Sequence, residues 1–180
     1  IVHTFLSVLY AKFINAKREN HLKCRRTKTN TSHHVPVLLD ECMDYLDPGK
    51  GGNFADLTFG GGGHSRAILE ANEANTLLAF DCDPDAGSRA AEVSRDFGGR
   101  FQFNDLSFRE MDKVSSPDEF DGVLMDLGIS SFQLMEPNKG FSFRLDAPID
   151  MRLDPRVGQS AADFLESASR ESLVRAVREY

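Results

Sequence analysis

The chain has 180 residues, 41% hydrophobic with 14 Phe, which is enough for one domain with its own core, or one domain plus part of another. No run approaches the roughly 18 apolar residues of a membrane span, and Cys24, Cys42 and Cys82 are too scattered for a disulfide scaffold or a C-x-x-C zinc site, so a reducing compartment fits best. The net charge of −7 is uneven: residues 1–32 hold seven basic residues against one acid, leaving −13 on the rest, and so acidic a body does not advertise nucleic-acid binding outside a local basic patch.

In chain order, Leu6, Leu9, Tyr10 and Phe13 follow the i, i+3, i+4, i+7 spacing of a short amphipathic helix, after which the segment turns basic and polar. An organelle-targeting segment, a disordered arm and upstream sequence joined to the domain all fit this composition, and residues 1–32 are placed outside the fold. Val37–Leu46 reads as a helix, ended by Pro48-Gly49 and Gly51-Gly52. A strand is expected at Phe54–Thr58, a helix at Ser65–Ala71, a strand at Thr76–Phe80 and a helix at Asp85–Asp96. Further strands are expected at Phe101–Phe103 and Gly122–Met125, and a turn-rich stretch at Glu136–Pro148. Ser160–Tyr180 returns to helical spacing. Strands alternating with helices predict an α/β fold with a parallel, doubly wound sheet, whose ligands bind beyond the carboxyl ends of the strands.

Four consecutive glycines, Gly60 to Gly63, stand between the first strand and its helix. Each glycine costs backbone entropy on folding, so four in a row argue for main chain that a ligand approaches closely at a helix N-terminus. The dinucleotide fingerprint G-x-G-x-x-G is incomplete, because its last position is Ser65, and the phosphate loop is excluded because His64, not Gly-Lys-Ser/Thr, follows the run. An acid near the end of the first strand (Asp56) and another after the second (Asp81) suit a nucleoside ligand without a pyrophosphate. Asp81 would accept from two ribose hydroxyls, and S-adenosylmethionine is such a ligand. Asp126 ends an apolar strand at the same edge, where an acid is more often functional than a cap. Asp83, ahead of Pro84, reads as a helix cap. His64 is read as a ligand contact, and His33 and His34 as polar or substrate-edge groups.

Six motifs in order, His34-Val-Pro-Val-Leu-Leu-Asp-Glu41, Thr58-Phe-Gly-Gly-Gly-Gly-His-Ser65, Phe80-Asp-Cys-Asp-Pro84, Asp121-Gly-Val-Leu-Met-Asp-Leu-Gly-Ile-Ser-Ser131, Gly140-Phe-Ser-Phe-Arg144 and Asp150-Met-Arg-Leu-Asp-Pro155, closely resemble the RsmH (MraW) family. The resemblance implies a Rossmann-like, S-adenosylmethionine-dependent methyltransferase acting on N4 of a cytidine in the decoding region of small-subunit ribosomal RNA. It implies that Gly62, Gly63 and His64 hold the methionine end of the cofactor and that Asp81 is the ribose acid. Phe108 is then the adenine-side contact, and Asp126 and Gln133 are further cofactor contacts. Asp126, with the carbonyls of Leu127–Ile129, is the candidate acceptor for the cytosine amino group. The usual amino-methyltransferase box is absent, since Leu-Gly-Ile follows Asp126.

Phe141, Phe143 and Arg144 are candidate RNA contacts, or a lid on the sheet, and Arg152 and Arg156 are candidate phosphate contacts or solvated loop charges. Residues 33–145 are expected to form an incomplete cofactor-binding core, and residues 146–180 the start of an inserted helical domain. Because family members continue past Tyr180, the chain is expected to be the N-terminal part of a longer enzyme, with its fourth strand an exposed edge and the fragment poorly soluble or inactive. The expected partner is small-subunit rRNA or the assembling small subunit, with no membrane and with a homodimer left open. A bacterial cytoplasm is the expected compartment, with the mitochondrial matrix as the alternative. Two rivals remain: a non-catalytic cofactor-binding fragment, and a nicotinamide-dependent oxidoreductase.

Overall fold

The computed structural model describes residues 36–179. The amphipathic arm, His33, His34 and Tyr180 lie outside the described residues. The chain forms two compact units, one up to Gly128 and one from Ile129 onward.

The first unit opens with helix α1 (Leu39–Leu46), followed by strand β1 (Asn53–Asp56), helix α2 (Gly63–Ala71), strand β2 (Thr76–Phe80), helix α3 (Ala86–Phe97), strand β3 (Phe101–Asn104) and strand β4 (Gly122–Leu124). The sheet is parallel throughout, in the order β3-β2-β1-β4, with Ala55 opposite Leu78 on one side and Val123 on the other. Parallel neighbours require crossover connections, which α2 and α3 supply. The central strand β1 is buried on both faces from Phe54 to Asp56, which accounts for its lack of polar alternation.

One face of the sheet packs on the helices. Ala86, Ala90 and Val93 recur at helical spacing along α3 and bury against Phe59, Leu77 and Phe101, together with Ile68 and Leu69 of α2. The ring of Phe59 sits 5.7 Å from Phe101 and 5.3 Å from Phe103. On the other face Ala55, Leu57, Phe80 and Met111 form a second cluster, joined by Leu78, Leu106, Phe108 and Phe120. A 3-10 turn, Phe108–Lys113, closes over it.

Most element boundaries fall within two residues of those expected, and the differences have local causes. β1 stops at Asp56 rather than Thr58, because the Asp56 carboxylate accepts the Thr58 N–H at 3.1 Å and turns the chain. α2 starts at Gly63, two residues early, because Gly62 adopts φ 76 and its carbonyl accepts from Arg66 at 2.9 Å. α1 starts at Leu39 behind Leu38, a non-glycine residue at φ 54. β4 ends at Leu124 because the next N–H but one, that of Asp126, goes to the Thr58 hydroxyl instead of the ladder.

The second unit contains helix α4 (Ser131–Met135), a 3-10 turn at Pro137–Lys139, helix α5 (Ala161–Ser167) and helix α6 (Arg170–Glu179). Both α4 and α5 open on capping boxes, Ser130 with Gln133 and Ser160 with Asp163. The region read as one helical stretch, Ser160–Tyr180, is therefore two helices. Ala168 is extended at φ −71, ψ 139, and Ser169 starts a new cap by accepting the Ser172 N–H at 3.2 Å. Gly140, at φ 67, lies against the main chain of Pro148–Asp150, where a Cβ would be 2.7 Å from the Asp150 nitrogen.

Candidate functional site

Because every strand of the sheet is parallel, all four carboxyl ends face one edge. The order β3-β2-β1-β4 lays out along it Phe108, Asp81, the glycine loop and Asp126. The chain winds from β1 out to β3 and then returns to the far side of β1 as β4. The glycine loop follows β1 and so stands at the topological switch point, where such sheets bind ligands.

The loop is pinned by short-range and cross-strand bonds. Phe59 N–H donates to Phe80 O at 3.0 Å and Gly62 N–H to Phe59 O at 2.8 Å. Gly60 is held at both ends: its N–H donates to Asp81 Oδ2 at 2.7 Å, and its carbonyl accepts Arg89 Nε at 2.8 Å. Gly62 has a steric reason to be glycine, since a Cβ there would come within 2.8 Å of the Phe59 ring. The loop feeds α2, whose first residues Gly63, His64 and Ser65 present the N-terminal end of the helix to the edge.

Asp81 receives Gly60 N–H on Oδ2 and Asp83 N–H on Oδ1, the latter at 2.9 Å. Burial pushes its carboxyl above the usual value. The two backbone donors oppose that shift, the Asp83 charge adds to it and the Arg89 guanidinium reduces it. Asp83 is itself buried and accepts Asp85 N–H at 3.0 Å, so it shapes the turn leading into α3, whose N-cap is Asp85 and not Asp83 as the sequence suggested.

Beneath the loop, Asp56 is fully buried and accepts Ser65 Oγ at 2.7 Å. Burial pushes its carboxyl up, against the Ser65 and Thr58 hydrogen bonds and the nearby His64. His64 is buried, and its Nε2 lies 3.2 Å from Val37 O, so the ring is turned toward the segment entering α1. Asp126 is tied to the loop through its own N–H, which donates to Thr58 Oγ1 at 2.7 Å. The Cys42 thiol is pushed up to about 11, first by burial and then by the charges of Asp126, Glu41 and Asp56.

The first unit thus carries Gly62, Gly63, His64, Asp81, Phe108 and Asp126. Phe108 begins the 3-10 turn after β3 and packs half-buried on the second core cluster. Gln133 belongs to the second unit, where its Oε1 accepts Ser130 N–H at 2.9 Å in the capping box of α4. Thr58, Ser65 and Arg89 were not singled out in the sequence. The only sequence cue to Arg89 was its place in the first turn of the helix that follows Asp81. A shallow cavity of about 280 Å³ opens at the amino edge, beside Asn53, Thr76 and Gln102, away from all of these residues. Among the described residues no His, Cys, Asp and Glu group could hold a metal, and no helix is long and apolar enough to cross a membrane.

The parallel sheet with flanking helices is a Rossmann-like α/β methyltransferase fold. The chain belongs to the MraW methylase family, whose sequence profile matches residues 31–180. It is similar to proteins named ribosomal RNA small subunit methyltransferase H. That of Thermomicrobium roseum is 44% identical over 151 residues, 82% of this chain and 46% of the relative. That of Carboxydothermus hydrogenoformans is 45% identical over 150 residues, 82% and 48%. That of Leptothrix cholodnii is 46% identical over 153 residues, 82% and 47%. The chain spans about half the length of the curated relatives it matches. The resemblance read from the six motifs is thereby borne out, and the comparisons give the homodimer no support.

Proposed function

We propose that the carboxyl edge of this sheet binds S-adenosylmethionine, and that the whole protein transfers its methyl group to N4 of a cytidine in the decoding region of small-subunit rRNA. The observation that carries the reading is the hydrogen-bonding state of Asp81. Each of its oxygens already accepts one main-chain N–H. An ionised carboxylate has about four acceptor positions, so one remains on each oxygen, matching the two hydroxyls of a ribose. The names of the bacterial relatives support the RNA substrate and favour a bacterial cytoplasm as its setting.

In this reading the main chain of Gly62, Gly63 and His64 receives the carboxylate of the methionine end at the N-terminus of α2. Phe108 takes the adenine side and Asp126 adds a further contact, while the role of Gln133 rests on the family resemblance alone. The bound cofactor supplies a methyl group on a positively charged sulfonium. Charge is dispersed as that group moves, so holding donor and acceptor in line is the protein's main task. The cytosine amino nitrogen is a poor nucleophile, and acceptors on its hydrogens favour pyramidal geometry. Asp126 and the carbonyls of Leu127 and Gly128 fill that role, with Thr58 fixing the Asp126 backbone. The target base must leave its stack to reach them. Phe143, 95% exposed with the Arg144 guanidinium 5.8 Å from its ring centre, is suited to stack on an unpaired base.

The test is tritium transfer from labelled S-adenosylmethionine to small-subunit RNA, with the product nucleoside identified after digestion. Label in N4-methylcytidine, lost in Asp126→Ala, is expected. Label on another atom, or undiminished transfer by the variant, overturns the assignment. Calorimetry with the cofactor alongside separates transfer from the second reading, binding without turnover.

A further inference from the structure

We propose that Arg89 is a positioning residue for the cofactor, clamping the first glycine of the loop and, through it, setting the orientation and charge of Asp81. The inference rests on reading Asp81 as the ribose acid. Gly60 is the joint. Arg89 Nε donates to its carbonyl at 2.8 Å while its N–H donates to Asp81 Oδ2 at 2.7 Å, so one glycine links α3 to the acid after β2. The two bonds lie on the two peptide groups that meet at the Gly60 Cα, so Arg89 restrains the backbone torsions that aim the Gly60 N–H at Asp81. Gly60 lies at φ 52, and its Cβ position is open, with Thr58 O at 3.8 Å as the nearest contact. The two hydrogen bonds tie this residue to Asp81 on one side and to Arg89 on the other.

Charge runs the same way. Asp81 faces Asp83 on its own turn and Asp56 at the end of β1, beyond which lie Ser65 and His64. Arg89 reaches in from α3 and opposes that accumulation of negative charge. A carboxylate must be ionised to offer both oxygens to a diol, so the clamp and the charge serve the same end.

The test follows the carboxyl carbon of Asp81 by NMR in the ligand-free full chain, in wild type, Arg89→Met and Arg89→Lys, beside calorimetric titration with S-adenosylmethionine from pH 5 to pH 8. The expected result is a higher Asp81 midpoint in Arg89→Met and a midpoint near wild type in Arg89→Lys. Cofactor affinity in Arg89→Met should fall roughly threefold to tenfold at neutral pH, in line with one lost hydrogen bond, and more steeply on the acid side. An unchanged Asp81 midpoint in Arg89→Met overturns the proposal. So does an affinity loss equal at every pH and accompanied by a lower melting temperature, which marks a structural role. Asp81→Asn separates the two readings: wild-type affinity there defeats the ribose assignment, while the NMR midpoint still decides the case of Arg89.

Discussion

Asp56 and Ser65 show how a residue can support a site without facing it. The carboxylate is fully buried and depends on the Ser65 hydroxyl and the Thr58 N–H. Ser65→Ala leaves that group short of a donor and is expected to cost about 1–3 kcal/mol in urea unfolding. Its pH dependence has a defined sign. Asp56 has a folded-state pKa raised above the ordinary 3.8, so the folded protein keeps a proton that the unfolded chain has lost. Stability falls as pH rises through that window. Removing the Ser65 bond raises the pKa further, so the deficit of Ser65→Ala grows as pH rises above 3.8. A deficit that shrinks with pH would contradict this account of the buried pair. Asp81, Asp126 and the glycine run were legible in the sequence because each ends an apolar run, a purely local pattern. Arg89, Thr58 and Ser65 were not. Arg89 meets Gly60 across 29 positions and Thr58 meets Asp126 across 68, and both meetings are set by strand order. Ser65 meets Asp56 across only nine, but through the bend of the loop between them.

Single elements carry two further consequences. The carboxyl end of α2 is closed by side chains from elsewhere. Asn75 Nδ2 donates to Ile68 O at 2.6 Å and Pro48 O at 3.0 Å, and Arg100 Nη1 to Leu69 O, Asn72 O and Asn75 O at 3.0 to 3.3 Å. These donors satisfy carbonyls that a helix end leaves unpaired. Arg100→Ala should speed amide exchange in the turn beyond α2 and in β2 while leaving β4 protected; uniform exchange everywhere would argue against a local tie. In the second unit, the fork of Arg152 on Asp150 holds that carboxyl at about 2. The pair contributes above the ordinary carboxylate value of 3.8 and is lost as pH falls through about 2. Arg152→Met should return the Asp150 titration, followed by carboxyl NMR, toward 3.8. The break between α5 and α6 escaped the sequence reading because apolar spacing continues across it. The serine that starts the new cap is visible only as one serine among several.

At the scale of the molecule, alternation of strands and helices sufficed to predict a parallel sheet. It did not say on which side of β1 the fourth strand would lie, and that choice creates the switch point at the glycine loop. The strongly acidic body also fits a site that selects its ligand by a few placed groups rather than by a broad basic surface. Everything proposed for the edge depends on one claim, that Asp81 and the glycine loop together receive an S-adenosylmethionine nucleoside. Calorimetric titration of the chain with S-adenosylmethionine, in wild type and Asp81→Asn, with NAD as the comparison ligand, tests it directly. The account predicts one cofactor per chain, no NAD binding, and an affinity loss of about tenfold or more in Asp81→Asn, in line with hydrogen bonds to a charged group. Equal affinity in wild type and Asp81→Asn, or binding of NAD in place of S-adenosylmethionine, would contradict it.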